Sequence, residues 1–79
     1  HKTGGERDGR IFVKSGWGEA TVVGVNEGDN VTVFTVDGKA VANSEASGSE
    51  VRFVLAKGAY LFVVKGAGGN DAVVKSVVR

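Results

Sequence analysis

The sequence predicts an all-β chain, and three observations carry that expectation. Valine dominates the apolar residues, and its stiff, branched side chain packs well on a pleated surface. The 13 glycines and the lack of any proline suit short strands joined by tight turns. No segment shows 3.6-residue apolar periodicity between capping residues, so no helix is expected.

The elements follow from the N-terminus. Residues His1 to Gly9 are polar, glycine-rich and without periodicity, and read as a linker preceding a single domain over 10–79. Arg10 to Ser15 is a first strand closed by a Gly16-Trp17-Gly18 turn. Glu19 to Val25 is a second, followed by a turn at Asn26 to Asp29. Asn30 to Val36 is a third, ending in a two-residue Asp37-Gly38 turn where glycine supplies positive φ. Lys39 to Ala42 is a short fourth strand, and the polar stretch Asn43 to Ser49 is expected to cross between sheets.

In Glu50 to Leu55, Val51, Phe53 and Leu55 share one face while Glu50 and Arg52 share the other, the pattern of a half-buried strand. Lys57-Gly58 turns into a sixth strand, Ala59 to Lys65. Gly66 to Asn70 is a loose hairpin loop, and Asp71 to Val78 closes the domain. Seven short strands with near-regular turns predict a small seven-stranded antiparallel immunoglobulin-like β-sandwich. Its expected core is Val51, Phe53, Leu55, Tyr60, Phe62 and Val64.

Composition narrows the function classes. With 10 basic and 9 acidic residues interspersed, the net charge of +1 offers no concentrated basic field for nucleic acid. No apolar run approaches the ~20 residues of a transmembrane helix, the longest being Ala59 to Val64. Without cysteine there is neither a disulfide nor a thiolate metal site. The chain begins at His1 and contains no methionine, so a processed product or excised fragment is expected, with any export signal upstream in a parent protein.

Catalysis finds little to work with. The single histidine is His1, at a terminus where nothing would hold a general base in place. The carboxylates of Glu27, Asp29, Asp37 and Asp71 fall at turns, and Glu50 lies on a strand's polar face, so they read as turn formers and solvated charge. Asn26 to Asn30, with Asn70 and Asp71, is a conceivable calcium site. That ion needs six to eight oxygens and the EF-hand spacing is absent, so turn chemistry is the stronger reading. Gly4-Gly5 and Gly66 to Gly69 lack the Gly-Lys-Ser/Thr ending of a phosphate loop. Trp17 has two readings: stacking on a sugar ring, or, with more weight, packing over the open end of the sandwich. No enzyme activity, cofactor or metal is expected.

The last two strands are apolar on both faces. Tyr60, Phe62 and Val64 oppose Leu61 and Val63; Ala72, Val74, Ser76 and Val78 oppose Val73, Lys75, Val77 and Arg79. A sandwich has one core, so some of these side chains must meet a covering loop or a partner, and a mixed valine and basic face suits docking.

Three motifs in order, Phe34-Thr-Val-Asp-Gly-Lys39, Leu55-x-x-Gly58-x-Tyr60 and the terminal Lys75-Ser-Val-Val-Arg79, resemble the type A C-terminal sorting domain of the type IX secretion system of Bacteroidetes. The match runs from about Arg10 to the end. It departs from the family in lacking a proline-containing first motif, in carrying Ser76 where an apolar residue is usual, and in ending on Arg79 rather than lysine.

The resemblance implies a secretion signal that takes a larger cargo across the outer membrane of a Gram-negative bacterium. The domain is then usually cleaved by a surface sortase that joins the cargo to an anionic lipopolysaccharide. Implied partners are the secretion machinery, the outer-membrane sortase and an upstream cargo domain, with no nucleic acid and no direct membrane insertion. The location is the periplasm in transit and then the cell surface. It further implies a recognition role for Val73, Lys75, Val77, Val78 and Arg79. Asp37, Gly38, Lys39, Gly58 and Tyr60 become structural motif residues, and Thr3, Gly4 and Gly5 fall in the processing region. The rival readings are a carbohydrate-binding or adhesive β-sandwich module and a structural spacer.

Overall fold

The computed structural model of the chain describes residues 11–66 and 71–79. The expected linker and processing region, with Thr3, Gly4 and Gly5, lie outside the described residues, as does all of the expected loop Gly66 to Asn70 except Gly66. Seven strands follow in order: β1 (Phe12–Ser15), β2 (Glu19–Val23), β3 (Asn30–Thr35), β4 (Ala40–Glu45), β5 (Glu50–Val54), β6 (Gly58–Lys65) and β7 (Asp71–Val78). All pairings are antiparallel, in a three-stranded sheet ordered β1-β2-β5 and a four-stranded sheet ordered β4-β3-β6-β7. The all-β sandwich expected from the sequence is therefore the observed fold.

Period-two alternation places the core. Val22, Val51 and Phe53 of the smaller sheet face Val31, Val33, Phe62 and Val64 of the larger one, all buried. Phe62 is central, its ring tilted against Phe53 at 6.3 Å and set edge-on to Tyr60 at 6.4 Å. All six residues expected to form the core are buried.

Four local expectations are corrected. The β3–β4 connection is not a two-residue turn. The Thr35 N–H donates to the Lys39 carbonyl at 2.8 Å, and the Gly38 N–H to the Thr35 carbonyl at 2.9 Å. The loop is thus Val36, Asp37 and Gly38, with Gly38 left-handed at φ 97°. The Thr35 hydroxyl folds the loop onto itself, donating to Asp37 and accepting from the Lys39 N–H. The register with β4 shifts between Val33 and Phe34 to absorb the extra residue.

β4 also runs on to Glu45, through residues expected to cross between sheets. Polar cross-strand bonds hold it there: the Asn43 amide donates to Asn30 Oδ1 and Thr32 Oγ1, both at 2.7 Å. An apolar-alternation criterion misses such a strand, and the crossing is confined to residues 46–49. At the end of β2, strand pairing stops at Val23, because Gly24 turns to φ 100° and both Gly24 and Val25 donate to the Ser49 carbonyl.

Trp17 does not pack over the end of the sandwich; it is 83% exposed. Leu55 and Val78 fill that end instead. The backbone of the Trp17 loop is held by the Gly18 N–H donating to the Arg79 carbonyl at 2.7 Å and by the Leu55 N–H donating to the Gly18 carbonyl at 3.0 Å.

Phe53→Ala should cost about 3–5 kcal/mol, the range for emptying a buried aromatic site, and urea titration measures it. A β-carbon at Gly38 would meet nothing within 4 Å, so Gly38→Ala isolates the backbone term. It should cost about 1–2 kcal/mol for a left-handed L-residue, and a neutral substitution would overturn the loop geometry.

Candidate recognition surface

The surface is built on β7, at the edge of the four-stranded sheet. Its alternation is as the sequence indicates: Val74 and Ala72 pack against the core, while Val73 and Val77 are 63% and 57% exposed. Lys75 and Arg79 are exposed with them. Val78 is different. Grouped with the recognition residues on the basis of the terminal motif, it is 1% exposed and part of the core. Its place on the inward-facing half of the strand excludes it from any outward contact.

Register extends the surface across the sheet. Val73 lies opposite Val63, and Lys75 opposite Leu61. Leu61 in turn lies opposite Phe34 of β3, and Val63 opposite Thr32. Phe34, Leu61, Val63 and Val73 therefore form an apolar patch on the outer face, bordered by Lys65 and Asp71 on one side and by Lys75, which separates it from Val77, on the other. The sequence marks Leu61 and Val63 as a second apolar face, but not Phe34, whose contribution depends on which strand lies beside β6.

The end of β7 is anchored. Besides accepting from Gly18, Arg79 donates its N–H to the Gly16 carbonyl at 3.3 Å. The hydroxyls of Ser15 and Ser76 meet at 2.6 Å. Ser76, a departure from the resembled family's apolar preference, thus ties the edge of one sheet to the edge of the other.

The other motif residues serve the fold. The Tyr60 hydroxyl donates to the Ala56 carbonyl at 2.6 Å, spanning the β5–β6 connection. This is a tyrosine corner, in which a tyrosine near a strand start bonds back to the preceding backbone. It accounts for the spacing Leu55-x-x-Gly58-x-Tyr60: Leu55 seals the core, the hydroxyl reaches Ala56, and a β-carbon at Gly58 would lie 3.9 Å from the tyrosine ring. In the β3–β4 loop the hydroxyl of Thr35 above all holds the Asp37 carboxyl below its ordinary value of 3.8; desolvation opposes it, and the Lys39 and Asp37 N–H groups add to the lowering. The stabilisation this provides is present above the unfolded-state value and is lost as pH falls through the lowered one.

The conceivable calcium loop is likewise closed on itself. The Asp29 carboxylate accepts from the Asn26 N–H at 2.9 Å, and the Asp29 N–H donates to the Asn26 carbonyl at 3.0 Å. The Gly28 N–H and the Asp29 carbonyl bond to the backbone of Ala46. Among the described residues no three of His, Cys, Asp or Glu form a group that could hold a metal ion; Asn70 lies outside them.

No protein-family model and no curated protein matches the chain. Among solved structures, the fold is similar to part of PorZ, an essential bacterial surface component of the type IX secretion system of the human oral-microbiomic Porphyromonas gingivalis. The TM-score is 0.80, with 16% identity, over 94% of this chain and 12% of that one. The likeness is one of fold, to a domain-sized part of a much longer protein.

Tyr60→Phe removes the corner hydrogen bond and retains the ring in the core. It should cost about 1 kcal/mol, the net worth of a typical intramolecular hydrogen bond. Equilibrium urea unfolding with an unchanged slope is the measurement, and an unaltered midpoint would remove the corner's role.

Proposed function

We propose that the chain is a type IX C-terminal sorting domain: a folded export label, without catalytic activity of its own, that directs a larger cargo across the outer membrane to the cell surface. The observation that carries this reading is the outer face of β7, where Val73, Lys75, Val77 and Arg79 stand exposed on a strand whose inner face and end are anchored. The fold likeness to a type IX surface component supports the setting. The ordered motifs support the sorting role, because the hairpin and the tyrosine corner build the same sandwich and leave β7 at its edge.

In this reading the valines supply area that becomes buried on docking, and the cations set orientation. The machinery reads a surface, so the label must be folded to be recognised. The segment before Arg10, with Thr3, Gly4 and Gly5, serves as the processing region for the surface sortase, since a protease needs accessible, extended backbone.

Exposed Trp17 favours the carbohydrate-binding or adhesive alternative, because an indole projecting from a loop whose backbone is held at Gly16 and Gly18 presents a stacking face. It stands in the Gly16–Gly18 loop, whose backbone bonds Arg79 at the end of β7, while Val73 and Lys75 lie farther along the strand, so variants at these positions separate the two readings.

The test is a reporter fused to the chain in a type IX-competent host, with secreted and periplasmic fractions quantified. Deleting Val77 to Arg79 should trap the reporter in the periplasm. That deletion also removes buried Val78 and the Arg79 anchor, so surface variants decide the mechanism. Val73→Ser with Lys75→Ala should lower export about tenfold or more, the effect of losing ~1.4 kcal/mol of binding, with little change in melting temperature. Trp17→Ala should leave export intact. Export that merely tracks melting temperature across such variants would overturn the proposal. Retention of a glycan by the wild-type chain, lost in Trp17→Ala, with export unaffected by β7, would favour the alternative.

A further inference from the structure

The edge of β7 is as informative as its outer face. Along an extended strand, side-chain direction and the direction of the backbone polar groups alternate together. Arg79 turns its N–H and carbonyl toward Gly16 and Gly18, away from β6. The β6–β7 register runs from Gly58–Val78 to Lys65–Asp71 without a shift. Asp71, Val73, Lys75 and Val77 therefore turn their backbone groups to the same side, where β1 flanks the strand at its C-terminal end through the Ser15–Ser76 contact. Among the described residues, backbone bonding on that side stops at Arg79. Natural sheets blunt such an edge by proline, by a bulge, by brevity or by charge, lysine above all; β7 has eight residues, no proline and an unbroken register, and its charges Asp71 and Lys75 are of opposite sign, so they repel a second copy only in some registers.

We infer that this edge pairs with the β7 of a second copy of the chain, antiparallel about a two-fold axis at Val73. The charge pattern is the reason. In that register Asp71 lies opposite Lys75 of the second copy, Lys75 opposite its Asp71, and Val73 opposite Val73. Extended across four strands, the central outer row is Val63, Val73, Val73, Val63. Each flanking row is Lys65, Asp71, Lys75, Leu61, with the last two from the other copy.

On the inner side, half-buried Ala72 meets half-buried Val74 of the other copy. Moving the axis to Lys75 would set two lysines face to face and bring the second copy onto the Gly16–Gly18 loop already bonded to Arg79. The favoured register is thus self-complementary, as an isologous contact must be. It uses the edge of β7 and leaves the outer face uncovered, so it stands apart from the export reading.

A short ladder of this kind belongs to the weak, small-interface class. Sedimentation velocity on the 79-residue chain at low salt, from about 10 μM to about 1 mM, should show a monomer shifting to a dimer. Lys75→Asp places like charges opposite each other at two positions and should raise the dissociation constant about tenfold or more, while the double variant Asp71→Lys/Lys75→Asp should restore it to within about threefold. Val73→Lys, which sets two cations on the axis, should abolish the dimer, and circular dichroism confirms the fold of each variant. A monomer throughout, a dimer indifferent to these substitutions, or failure of the folded double variant to recover would overturn the pairing.

Discussion

At one pole of the sandwich the backbone of Gly18 does two things at once. Its N–H donates to the Arg79 carbonyl of the larger sheet's edge, and its carbonyl accepts from Leu55 at the end of the smaller sheet. A chain of 79 residues buries only roughly 60% of its unfolded surface and here has no disulfide to close it. Its two sheets are therefore held by the core and by such inter-sheet hydrogen bonds. This one seals the core over Leu55 and Val78, turns Trp17 out, and sets the position of β7.

The anchor also explains why the residues that look most like a signature are structural. The tyrosine corner begins at Leu55, the residue Gly18 holds, and its hydroxyl reaches back to Ala56. The Asp37-Gly38 hairpin is stabilised from within by Thr35. Both are built to shape the backbone. The information available to another protein is what these devices leave exposed, namely the outer face of the larger sheet and the open edge of β7.

That division has an energetic logic. Val74 and Val78 contribute to the core from the same strand whose other side shows Val73, Lys75 and Val77. A strand used on one face for stability can vary on the other without unfolding the domain. Conversely, damage to its buried face weakens every surface the strand supports. Truncation at the C-terminus conflates the two faces, because it removes the Arg79 anchor and buried Val78 together with exposed Val77.

By itself the sequence determined the fold class, six core residues and the two-faced character of β6 and β7. All of these follow from period-two alternation and turn-forming residues, which are local. It also made Gly38 a residue of positive φ. Only the tertiary structure decided the rest, because that depends on which strands become neighbours. The length of β4 came from the polar bonds of Asn43 to Asn30 and Thr32 across the sheet, which leave no apolar pattern. Phe34 joined the outer patch because β3 lies beside β6. Trp17 was expelled because Leu55 and Val78, distant in sequence, already occupied the end of the core. Alternation already set Val78 on the inward face; what the path of the chain end against Gly16 and Gly18 added was the closure that buries it.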